Sequence, residues 1–146
     1  MNGMTDTTAL YERLPHAGSM CLVDEVIDWD RERIRCGASS HRRADNPLRV
    51  AGRLPAICVL EYAAQAFALH GLLIADECGD RPPDAAQVFV ALVTTLDLHA
   101  GFLDGRDGML HIDGSIVFRQ AGSAVYRFEV CDATGPVADG QIGLMS

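Results

Sequence analysis

Residues 54–75 constrain this chain more than any other stretch, because they form an apolar run that only Glu61, Gln65 and His70 interrupt with strongly polar side chains. Pro55 suits the first turn of a helix, where its missing N–H would have no partner anyway. A helix that is apolar nearly all round has to be wrapped by other structure. Glu61 and Gln65, four residues apart, then project from one face. A carboxylate in such surroundings is costly unless it is paired, neutralised or used, so Glu61 is the first candidate for function. The run is long enough to cross a membrane, but its polar interruptions and the soluble character of the remaining sequence favour a core helix.

Residues 1–13 read as a polar arm or a short leading helix that ends at Leu14-Pro15-His16. Residues 20–29 and 33–39 read as two strands joined at Asp30-Arg31. Residues 41–53 make an irregular, arginine-bearing loop containing Asn46-Pro47 and Gly52. After the helix, Gly79, Pro82 and Pro83 mark 75–84 as a loop. Everything beyond has strand character: 87–99, 109–120, 124–132 and 137–144. The reading is one α+β domain over 1–146, a curved antiparallel sheet of five to six strands around one long buried central helix.

A formal charge of −8, without a basic run interleaved with aromatics, argues against nucleic acid as a partner. All 12 cations are arginine, so the chain has no Schiff-base amine and no phosphate loop of the Gly-Lys-Ser/Thr type. Cys21, Cys36, Cys58, Cys78 and Cys131 are too scattered for a metal cluster or redox pair. They read as reduced thiols of a cytoplasmic protein, and no metal is expected. The first ten residues lack the pattern of a signal peptide.

Three segments carry a family resemblance. Leu14-Pro15-His16 leading into Met20-Cys21-Leu22-Val23-Asp24-Glu25-Val26 resembles the first strand of the 3-hydroxyacyl-acyl-carrier-protein dehydratases, which have the hot-dog fold. Leu54-Pro55-Ala56 followed by Leu60-Glu61-Tyr62-Ala63-Ala64-Gln65-Ala66 resembles their helix start and its Glu…Gln pair. From Asn46-Pro47-Leu48 onward the run is closer still to dehydratase-like proteins of aryl polyene gene clusters.

The resemblance implies elimination of water from a 3-hydroxyacyl thioester carried on the phosphopantetheine arm of an acyl carrier protein, with no other cofactor. In the family a His takes the proton beside the thioester carbonyl, and a helix carboxylate from the other subunit handles the departing hydroxyl. A backbone N–H at the helix start polarises the carbonyl. Carried over, the carboxylate is Glu61 and the N–H is that of Ala56, where Gly is usual. The place of the His is taken by Pro47, which cannot transfer a proton. Asn46 beside it can hydrogen-bond but cannot act as a base.

On residues alone Glu61 reads as a structural carboxylate capped by backbone or arginine; the resemblance makes it the acid/base. Gln65 reads as the side chain that orients Glu61, with a place in the substrate site beside Asn46 and Tyr62. His41, in the loop six residues before Pro47, is the candidate replacement base. His16 reads as a structural tie, and His70, His99 and His111 as packing or surface residues. Tyr62, Ala66, Leu92 and Phe118 are expected to line an acyl tunnel between helix and sheet. Arg31, Arg33, Arg35, Arg42, Arg43, Arg49 and Arg53 read either as a solvated rim or as a docking patch for an acidic carrier protein. The family pattern implies a homodimer, or a heterodimer with another hot-dog dehydratase. The alternatives are a non-catalytic subunit paired with an active dehydratase, and an acyl thioesterase.

Overall fold

The computed structural model describes residues 5–14, 18–79 and 89–145; His16 lies outside them. In chain order these residues form β1 (Thr5–Asp6), α1 (Thr8–Tyr11), β2 (Glu25–Trp29), β3 (Arg33–Ala38), α2 (Val59–Glu77), β4 (Phe89–Leu98), β5 (Leu110–Gln120), β6 (Ser123–Asp132) and β7 (Gly135–Met145). All strands are antiparallel neighbours in one sheet of order β1-β2-β3-β5-β6-β7-β4. Six strands are long. The seventh, two-residue β1, adds a short edge that the sequence pattern does not show.

The apolar run folds as one helix, but Pro55 stands just before it. Pro55 is extended, and a 3₁₀ turn over Ala56–Cys58 leads into α2. Residues 62–70 are buried without a break, so every face of that stretch is covered. The strands β3, β4, β5 and β6 pack on one side and α1 on another. This burial is why a helix apolar enough to cross a membrane is here the core of the fold.

Helix and sheet lie in direct contact. Phe67 stacks on Tyr126 with ring centroids 4.0 Å apart, and a Cβ at Gly114 would collide with the Phe67 ring. Glycine is required on β5 so that the helix can approach this closely. His70 continues the seam: Nδ1 meets the Tyr126 hydroxyl and Nε2 the Asp30 carbonyl, each at 2.7 Å. A carbonyl only accepts, so Nε2 carries the proton, and Tyr126 donates to Nδ1. Burial pushes the imidazole down to about 4 from its ordinary value.

The apolar pattern predicts that the first long strand begins at Met20, but it begins at Glu25. Residues 18–20 form a 3₁₀ turn, and the N–H groups of Leu22 and Val23 are taken by side chains of α2 and α1 instead of a neighbouring strand.

Two outcomes are expected. Gly114→Ala forces Phe67 out of its rotamer and costs about 1–3 kcal/mol, read as a drop in urea midpoint. The neutral His70 makes stability fall as pH drops from about 6.5 towards 4. The unfolded chain binds a proton there that the folded one refuses, a loss of about 2 kcal/mol by pH 5. Denaturation at pH 7.5 and pH 5 reads this loss, and His70→Gln should flatten the slope.

Candidate active site

Glu61 lies in the first turn of α2, half-buried, where the helix dipole favours a carboxylate. Its Oε1 accepts a hydrogen bond from Gln65 Nε2 at 3.2 Å. Gln65 is fully buried and saturated. Besides Glu61, its Nε2 donates to the Met20 carbonyl (2.8 Å), and its Oε1 accepts from the Tyr11 hydroxyl (2.7 Å) and the Leu22 N–H (2.9 Å). The orienting role read from the sequence is what this geometry provides. A substrate contact is not, because the amide has no capacity left.

The helix start differs from the sequence-based expectation. Residues 53–56 run beside 101–104: the Leu103 N–H donates to the Leu54 carbonyl (2.8 Å), and the Ala56 N–H to the Gly101 carbonyl (3.0 Å). The Leu54 N–H is held by Asp104 Oδ1, and Arg53 both pairs with Asp104 and lies 3.9 Å over the Phe102 ring. The Ala56 N–H is therefore spent inside the protein and cannot polarise a thioester. The next one, Ile57 N–H, has no acceptor among the described residues, and its side chain is exposed. It is the open donor of this helix end.

Asn46 and Tyr62 are also committed. Asn46 Nδ2 donates to the Ser40 carbonyl (3.0 Å) and to the Tyr62 hydroxyl (3.2 Å), and its Oδ1 accepts the Leu48 N–H. The Tyr62 hydroxyl also bonds Ser40 Oγ at 2.7 Å, and Ser40 in turn donates to the Leu22 carbonyl. Both side chains are buried. Rather than facing a ligand, they bind the arginine loop down onto α2. Arg49 strengthens that loop from within, donating to the carbonyls of Arg43, Gly52 and His41.

His41 belongs to the same buried layer. It has no exposed surface, and its Nε2 lies 3.0 Å from the Arg106 carbonyl, so that nitrogen carries the proton. Its Nδ1 is buried without a partner among the described residues, and burial holds the imidazole below its ordinary range. The Arg106 guanidinium pairs with Asp132 and holds that carboxyl well below the usual range, fixing the turn that His41 leans on. No hydrogen bond among the described residues links His41 to Glu61. A base must reach its substrate, and His41 is sealed in the wall.

Among the described residues, the side chains expected to line the tunnel do not face a common space. Tyr62 and Ala66 are fully buried against their neighbours, while Leu92 and Phe118 are 61% and 53% exposed. A bulge between Ile116 and Phe118 pairs Phe118 with Val125 rather than with a core position, turning it to the outer face. A cavity of about 220 Å³ lies between the C-terminal half of α2 and the β5–β6 end, near Leu14, Gly71 and Tyr126. A polar groove of about 770 Å³ crosses the outer sheet face at Arg33, Asp113 and Glu129. Glu61 lines neither.

The seven arginines also separate in space. Arg31 pairs with Glu77 and Arg35 with Asp113 on the β2–β3 side. Arg42 and Arg43 remain exposed on the loop that leads to the helix, Arg43 with a loose 3.9 Å contact to Asp45.

A family model, ApeP-like (ApeP dehydratase), matches residues 8–146. Among solved structures the chain is similar to the dehydratase heterocomplex ApeI:P from Xenorhabdus doucetiae, with 17% identity and a TM-score of 0.81 over 92% of this chain and 88% of that one. It is also similar to AziG from S. sahachiroi (26% identity, TM-score 0.55, 85% and 90% covered). A mutant thioesterase from Pseudomonas aeruginosa is similar as well (11% identity, TM-score 0.57, 84% and 79% covered). With the helix held in its sheet, these likenesses show the hot-dog fold. By sequence, no curated protein matches the chain.

Tyr62→Phe should leave Asn46 and Ser40 short of a shared partner and cost about 1–2 kcal/mol. The loop should open with it, so limited trypsin cleavage after Arg42 and Arg43 is expected to speed up while α2 stays intact.

Proposed function

The chain belongs to the ApeP-like family of dehydratases, and from that membership we propose that it eliminates water from a 3-hydroxyacyl thioester on a carrier protein's phosphopantetheine arm, as one half of a heterodimer with a second hot-dog dehydratase subunit. One observation carries the reading. Glu61 is held by Gln65 at the start of α2, near the open Ile57 N–H, while Pro47 occupies the family's His position. The chain thus offers the acid and the oxyanion donor, while the family's base position holds Pro47 and His41, six residues before it, is buried. The likeness to a dehydratase heterocomplex supports a different chain as the partner.

A histidine from the partner takes the proton from the carbon next to the thioester carbonyl. The electron pair of that C–H bond becomes the new carbon–carbon double bond, and the C–O bond to the 3-hydroxyl breaks. Glu61, acting as the acid, gives its carboxyl proton to the departing hydroxyl, which leaves as water. Negative charge that builds on the carbonyl oxygen meets the Ile57 N–H and the positive end of α2. A heterodimer built this way has one complete site, because the second position for a base holds Pro47. Exposed Arg42 and Arg43 flank the loop before the helix and suit an acidic carrier and its arm phosphate.

The test is to assay 3-hydroxyacyl thioester dehydration by this chain alone, by its partner alone and by the two together. Enoyl product should require the mixture, and Glu61→Gln in this chain should lower its formation by about 100-fold or more. Full turnover by a mixture carrying Glu61→Gln overturns the assignment. Release of free thiol instead of enoyl product marks a hydrolase.

A further inference from the structure

The amide of Gln65 is held in one orientation. Leu22 N–H can only donate and the Met20 carbonyl can only accept, so Oε1 must face Leu22 and Nε2 must face Met20. Glu61 therefore always meets an N–H of this amide. The second donor to Oε1 comes from α1: the Tyr11 hydroxyl, at 2.7 Å. That hydroxyl accepts the Val23 N–H at 3.0 Å, which turns its own proton toward Gln65. Tyr11 is buried, and burial drives its phenol far above the ordinary range, so it stays a donor at any working pH.

Hydrogen bonds in series polarise one another, and a donor on an amide oxygen makes the amide N–H a better donor. The series here is Val23 N–H to Tyr11 O–H to Gln65, and from Gln65 N–H to Glu61 Oε1. We propose that Tyr11 is a positioning residue for the dehydration, setting through Gln65 the strength and direction of the hydrogen bond that Glu61 receives. The inference rests on the reading of Glu61 as the acid. It makes the segment ahead of the first long strand part of the active site, although Tyr11 itself never touches substrate.

Tyr11→Phe removes the hydroxyl and keeps the ring; Tyr11→Met, which also lacks the donor, is the second variant should the Phe form fold poorly. In the assembled heterodimer the variant should lose about 10-fold in kcat with KM changed less than twofold. The limb of the pH–rate profile that reports Glu61 should move to higher pH, since a weaker N–H donor stabilises the carboxylate less. Gly114→Ala is the control for lost stability and should move neither kcat nor that limb. A carbon-13 NMR titration of glutamate carboxyls in the lone chain, assigned with Glu61→Gln, follows the same shift without turnover. An unmoved titration in Tyr11→Phe overturns the inference whatever the activity, and a moved titration with Glu61→Gln fully active sinks the reading of Glu61 while leaving the relay standing.

Discussion

The structure turns on a single buried amide. An unpartnered amide in an apolar interior costs several kcal/mol, so a helix with Gln65 on its inner face must find it four partners. They come from three places: Tyr11 on α1, Met20 and Leu22 on the segment that crosses the helix, and Glu61 one turn back. Satisfying Gln65 is what pulls 20–23 off the sheet and delays β2 until Glu25. The same bonds aim the amide at Glu61, so one set of contacts sets a strand boundary and orients a carboxylate.

A second layer makes the loop ahead of the helix rigid. Ser40, Asn46 and Tyr62 tie it to α2, Arg49 ties it to itself, and His41 leans on the turn that Arg106 and Asp132 hold. The family places its general base on this loop. Here Ser40, Asn46 and Arg49 are spent on holding the loop's shape, and the resemblance puts Pro47 where that base would stand. Such a stiff wall fits the proposal that the base comes from a neighbouring subunit.

The helix was legible because an apolar run has to be buried in any fold, whatever its neighbours. The Glu61…Gln65 pairing followed from helical spacing alone, and the later strands from their strand-forming composition. Other features were not open to such reading. Phe118 was expected to line an acyl tunnel between helix and sheet, but one extra residue in β5 reverses the parity of everything after it. Ala56 looked like the oxyanion donor, but its N–H is claimed by Gly101, 45 residues on, a pairing that no local pattern encodes. His41 looked mobile on an irregular loop, and burial of that loop removed it from solvent.

From its residues alone the chain settled that one long helix must be enclosed and that a carboxylate and an amide share its face; the family resemblance added that a proline stands where a histidine is expected. Tertiary structure decided which N–H at the helix end is open, which polar side chains are already committed, and that a tyrosine far back in the chain reaches the carboxylate through Gln65. The reason is physical. Burial and helical periodicity depend on near neighbours in sequence, whereas each hydrogen bond that fills or frees a group at this site joins segments brought together only by folding.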